Sequence, residues 1–170
     1  MTRAGLLLAL FALLARGPAV NAAPAASADV AARVLELVNA ARAEPRRCGW
    51  KRFAAVPPLT RSVMLEQVAR EHAADMAWRG RMEHEGGDGS TPAERATRIG
   101  YRWLRIAENV AAGQLTPEDA VASWLESAGH CANLMDPGFT ETGIGTALAT
   151  PGADGPDWPY WTQVFGMPAP

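Results

Sequence analysis

Apolar positions follow a helical spacing through most of this chain and a strand-like pattern near its end. From Asp29, the run DVAARVLELVNAARAE places Val30, Val34, Leu37, Val38 and Ala41 on one face, and Pro45 marks its end. The next run, LTRSVMLEQVAREHAADMAWRG, is a second helix, with Thr60 as its cap and Gly80 as its stop. Leu65, Val68, Ala69, His72 and Met76 share its apolar face, which makes His72 a packed residue rather than a ligand. Thr91, Pro92 and Glu94 open a third helix with a capping box, ended by Gly100. Thr116 and Pro117 open a fourth, with Val121, Trp124, Leu125 and Ala128 on one face and Gly129 as its stop. Between the helices, RRCGWKRFAAVPPL reads as a turn-rich loop, and YRWLRIAENVAAGQ as irregular chain with a short strand. TETGIGTALAT and YWTQVFG are rich in β-branched and aromatic residues and read as strands, with PGADGPDWP as the hairpin loop between them. Helices first and antiparallel strands later give an α+β fold, with helices packed on a sheet.

The first residues carry a targeting pattern. Arg3 precedes an apolar run from Leu6 to Leu14, and small residues stand at Val20 and Ala22, the spacing of a signal-peptidase site. Residues 1–22 therefore read as a signal peptide, and residues 23–33 as a flexible lead-in with the start of the first helix. Cleavage after Ala22 leaves 148 of the 170 residues, enough for one domain with a sizeable core. No later segment reaches membrane-spanning length, so the expectation is a monomer in the periplasm or the medium, without a stable membrane anchor. Loss of Arg3 and Arg16 leaves 14 basic against 18 acidic side chains, which argues against a nucleic-acid partner. In an oxidising compartment Cys48 and Cys131, the two cysteines, read first as a disulfide. It would close a loop of 83 residues and stabilise by about 4 kcal/mol. A Cys131 nucleophile paired with His130 is the sharper alternative, but it needs a free thiolate.

Local signatures of zinc helices, nucleophile elbows, P-loops and EF-hands are absent, so any site is assembled from distant segments. The candidates are polar residues between periodic elements: His84 after the second helix, Glu108 and Asn109 in RIAENVA, and His130 after the fourth helix. Two imidazoles beside a carboxylate can perform acid–base chemistry or hold a divalent cation such as zinc, with His84 and His130 as ligands. The bland alternative is three unrelated capping or surface residues. A Ser127–His130 pair could place a hydroxyl beside a base, but no oxyanion hole is evident.

The segments LVNAAR, AREHAADMAWRGRMEHEGGDGSTPAERATRIGY, AENVAAGQLTPEDAVASWLESAGHCANLMDPGFTETGIG and YWTQVFG together resemble the bacterial branch of the CAP superfamily. That superfamily comprises cysteine-rich secretory proteins, antigen 5 and pathogenesis-related proteins, and its domain is also called the SCP domain. The resemblance implies an α-β-α sandwich with an antiparallel sheet between helices, over residues 34–166, with 167–170 as a tail. It implies a cleft in which His84, Glu108 and His130 match family positions, with Ala107 in place of the family's glycine. Tyr160 stands where animal and plant members carry a histidine. Their second glutamate falls near Ser127, which makes the neighbouring Glu126 the candidate fourth residue. The Cys48–Cys131 pair differs from the animal disulfide set and would clamp the first interhelical loop to the His130 segment. The expected function is a binding module for a divalent cation or a small lipid-like or peptide ligand. The alternatives are a hydrolase of the peptidase type and a purely structural polar trio.

Overall fold

The computed structural model describes residues 23–149 and 158–170, with side chains from residue 30. The expected signal peptide and most of the expected hairpin loop at 151–159 lie outside these residues. The chain runs α1 (Ala23–Arg42), β1 (Arg46–Cys48), β2 (Lys51–Phe53), β3 (Thr60–Arg61), α2 (Val63–Arg79), α3 (Pro92–Arg98), β4 (Trp103–Ala112), α4 (Pro117–Glu126), α5 (Ala128–Leu134), β5 (Glu141–Leu148) and β6 (Pro159–Pro168).

The main sheet has the order β3-β5-β6-β4. It is antiparallel except for the short parallel pairing of β3 with β5. Alternation along β6 sorts the core into two layers. Trp161 and Phe165 join Val34, Val38, Val121 and Trp124 in the layer under α1 and α4. Val164 joins Leu65, Val68 and Ala69 of α2 on the opposite face. This is the expected sandwich. Gly143 and Gly145 let α2 approach β5 closely, because a Cβ at either would collide with the α2 backbone at Leu65–Glu66 or Ala69–Arg70.

Arg42 is fully buried at the end of α1. Its guanidinium donates to the carbonyls of Pro57 (2.8 Å), Leu134 (2.6 Å), Asp136 (3.2 Å) and Phe139 (3.3 Å). It thereby ties α1 to the crossing after α5, and burial lowers its pKa from the ordinary arginine value.

Several elements differ from the sequence expectation. Helix α1 begins at Ala23, not Asp29, because alanine is the strongest helix former and Pro24 is tolerated in a first turn. Thr60 does not cap α2. It pairs with Glu141 as part of β3, and Ser62 holds the N-cap position. The segment expected as a turn-rich loop contains the β1–β2 hairpin. YRWLRIAENVAAGQ holds the ten-residue strand β4. Gly129 does not stop a helix: α4 ends at Glu126, Ser127 joins the two helices, and Gly129 lies inside α5.

The Thr-Pro starts do form as read. Thr91 Oγ1 accepts from Glu94 N (3.3 Å) while Thr91 N donates to the Glu94 carboxylate (2.8 Å). Thr116 Oγ1 likewise accepts from Asp119 N (3.1 Å).

Candidate functional site

The site straddles β4, which lies at one edge of the main sheet. Neighbouring residues of a strand face opposite sides, so Glu108 turns toward α2 and Asn109 toward α5. Asn109 Nδ2 donates to the His130 carbonyl (3.1 Å). Asn133 Nδ2 donates to Asn109 Oδ1 (2.9 Å) and to the Glu108 carbonyl (3.3 Å). The amides of this segment thus fix α5, and His130 with it, against the open edge of the sheet. Cys131 adds the second restraint through its disulfide to Cys48. No free cysteine remains among the described residues, so the Cys131 nucleophile is excluded. The adjacency of His130 and Cys131 is resolved as an imidazole beside a structural bridge.

On the other face, Glu108 is buried, with 1% of its side chain exposed. One oxygen, Oε2, accepts from Arg95 Nη2 at 2.7 Å. The other, Oε1, contacts His84 Nδ1 at 2.9 Å. Arg95 also donates to the carbonyls of Ser90 (2.7 Å) and His84 (3.1 Å), so one guanidinium holds both the carboxylate and the loop that carries His84. His84 itself is 54% exposed at the side chain. Its Nδ1 carries the proton shared with Glu108, which leaves Nε2 as the free ring nitrogen.

The three histidines have different charge preferences. The hydrogen bond to Glu108 raises the His84 pKa above its ordinary 6.5. Burial, and then the nearby His84 charge, lowers that of His130. Burial also lowers that of His72, which is 1% exposed. His72 Nε2 contacts the Glu83 carbonyl at 2.8 Å. A carbonyl can only accept, so Nε2–H is the tautomer present. The same nitrogen lies 3.7 Å from Glu108 Oε1.

The structure brings His84 and Glu108 into direct contact and places His130 within electrostatic reach of His84. Glu126 is exposed at the end of α4 and forms no side-chain hydrogen bond or ion pair with these three among the described residues. Ser127 makes no side-chain capping bond and no hydrogen bond to His130 among the described residues. Tyr160 is buried with Met76, Ala77 and Val110. No group of three His, Cys, Asp or Glu side chains with metal-binding geometry is found among the described residues. Sequence reasoning missed Arg95 as the counter-charge of Glu108 and His72 as its neighbour. The helical spacing of His72 signalled burial but not the company it keeps. A cavity of about 270 Å³ opens beyond His72 and Arg95, bounded by Asp75, Gly87 and Asp88.

Comparison with known proteins places this geometry in context. Residues 35–165 match the cysteine-rich secretory protein family, CAP. The chain is 30% identical over 145 residues to the uncharacterized protein YkwD of Bacillus subtilis, covering 85% of this chain and 50% of that protein. The chain thus spans about half the length of that curated relative. Among solved structures, it resembles an extracellular SCP-domain protein of Bacillus anthracis, with a TM-score of 0.67 and 24% identity over 89% of this chain and 45% of that one. It also resembles an outer surface protein of Borrelia burgdorferi, with a TM-score of 0.62 and 20% identity over 81% of this chain and 89% of that one. At these identities the structural matches speak to the fold alone.

Proposed function

This chain belongs to the cysteine-rich secretory protein (CAP) family, and we propose that it is an exported binding module whose cleft takes a divalent cation on His84 and His130. The contact that carries the reading is His84 Nδ1 to Glu108 Oε1 at 2.9 Å. A histidine that ligates a metal through one nitrogen commonly gives the other to a carboxylate, which fixes the tautomer and raises basicity. Glu108 has that orienting place, since Arg95 and His84 already occupy its two oxygens. His130 favours the neutral form a ligand needs. Two imidazoles leave the remaining positions of a bound cation to water or to a small polar or peptide ligand. Export is supported by the disulfide and by the extracellular and outer-surface relatives. No helix of the described residues is long and apolar enough to cross a membrane.

Calorimetric titration of the oxidised protein with zinc and with copper tests the proposal. Binding is expected at micromolar concentration with proton release, because His84 must give up its second proton to a metal. It should disappear in His84→Ala/His130→Ala and weaken about 10–100-fold in Glu108→Gln. Absence of binding, or equal binding by the double variant, would sink the reading.

A second reading is favoured by the divergent pKa shifts. An imidazolium at His84 beside a neutral imidazole at His130 is an acid–base pair. Cleavage of members of a peptide library by wild-type protein, absent from the double variant, would support a peptidase. Cleavage that survives the double variant would exclude these residues as its machinery.

A further inference from the structure

The β1–β2 hairpin is unlike the rest of the surface. The chain carries a net charge of −2, yet the hairpin holds Arg46, Arg47, Lys51 and Arg52 with no acidic residue between them. None of the four forms an ion pair among the described residues. Lys51 lies over the Phe53 ring at 4.5 Å. Asp136, whose carboxylate feels Lys51, is already bound by Arg105 at 2.6 Å. Arg47 stands directly opposite Arg52 in the ladder, and like charges so placed repel each other. Arg47 Nε donates to the Gly49 carbonyl at 2.9 Å, which folds its guanidinium along the turn. Arg46 Nε is buried without a partner, and Arg46, Arg47 and Arg52 line a groove of about 290 Å³ with Pro45 and Phe53.

At the apex stands Trp50, 86% exposed. The turn beneath it is firmly seated: Gly49 has φ +60 and no room for a Cβ against Ala128, and Cys48 is bridged to Cys131. An indole on a rigid projection, with cations one and two residues after it on β2 and three and four before it on β1, does nothing for the core.

We propose that this hairpin docks the protein on an anionic lipid surface. Tryptophan prefers the boundary between headgroups and acyl chains. Basic side chains beside it meet the lipid phosphates, each strengthening attachment about fivefold. The apex-and-shoulder arrangement matches that order of depth. A nucleic-acid strand would call for a longer basic track with several aromatic rings on which successive bases stack, whereas the hairpin offers a single indole on a chain of net charge −2. This attachment is peripheral and independent of the His84–Glu108–His130 cleft.

Co-sedimentation of the oxidised protein with vesicles tests it. Binding is expected to an equimolar mixture of phosphatidylcholine and phosphatidylglycerol, not to phosphatidylcholine alone, and should fade between about 0.05 and about 0.5 M salt. Arg47→Gln/Arg52→Gln should bind about 25-fold more weakly. Trp50→Ala should lose the blue shift of fluorescence that accompanies binding. His84→Ala/His130→Ala should bind as the wild type does, which separates this result from the fate of the cation site. Melting curves check that the variants fold, and Lys51→Gln replaces any that does not. The proposal is overturned by failure to bind the anionic vesicles, by equal binding to the neutral ones, or by folded hairpin variants that bind undiminished. Binding to single-stranded DNA without binding to vesicles would overturn it in favour of a nucleic-acid partner.

Discussion

Removing the Glu108 carboxylate would leave Arg95, 9% exposed at its side chain, without a counter-charge. Stranding one member of a buried pair costs about 3–5 kcal/mol. Glu108→Ala is therefore expected to lose about that much in urea unfolding. The apolar pair Glu108→Leu/Arg95→Met should recover part of it, because both charges then leave together. The histidines give stability a characteristic pH dependence. The folded His84 pKa is raised, so its contribution is complete below about 6.5 and is lost as pH rises through the folded value. Those of His72 and His130 are lowered. Their contribution is complete above about 6.5 and is lost as pH falls through the folded values. The histidine contribution thus peaks near the ordinary value. His84→Ala should flatten its alkaline side and leave the acid side, as read by melting temperature against pH. His84, Glu108 and His130 could be found in the sequence because each is a polar residue standing between strongly periodic elements. Arg95 could not, since it sits among polar residues of a short helix and acquires its role only when α3 folds over β4.

The close approach of α2 to β5 depends on Gly143 and Gly145, and here an added methyl meets helix backbone. Gly143→Ala is expected to destabilise by about 3 kcal/mol or more. Gly129→Ala is the opposite case. A Cβ there meets open space, and the position lies inside α5, so the change should stabilise by about 0.5–1 kcal/mol. Melting of the two variants side by side checks both expectations. This contrast also explains which elements could be read in advance. Thr91-Pro92 and Thr116-Pro117 declared their helices because a cap is a local device. The glycines at alternate positions of TGIG lie on one face of a strand and admit a close neighbour there. By contrast, α5 has only seven residues and opens Ala-Gly, so a stop was the natural reading. The three-residue strands β1 and β2 are held by Cys48–Cys131 and by Ala128 behind Gly49, contacts far away in sequence.

Across the whole molecule, the Cys48–Cys131 bridge has the longest reach of any covalent constraint among the described residues, 83 positions. Cys48→Ser/Cys131→Ser is expected to lower stability by about 4 kcal/mol in denaturant unfolding. It should also weaken the proposed cation binding, because α5 then relies on its amide contacts alone. An unchanged midpoint would show that packing around Met135 holds the segment without the bond. The two-layer architecture was accessible from the order of apolar periods, whereas the way the site wraps the sheet edge depends on amides that carry no period. The bridge has a further consequence for survival among proteases. A cut anywhere between Cys48 and Cys131 leaves a single covalent molecule, so a nick in the loop carrying His84 or in the strand carrying Glu108 parts no fragment from His130. A cut between Leu148 and Pro159 enjoys no such insurance. It frees β6, which lies between β5 and β4, and the severed sheet then keeps that inner strand by noncovalent grip alone.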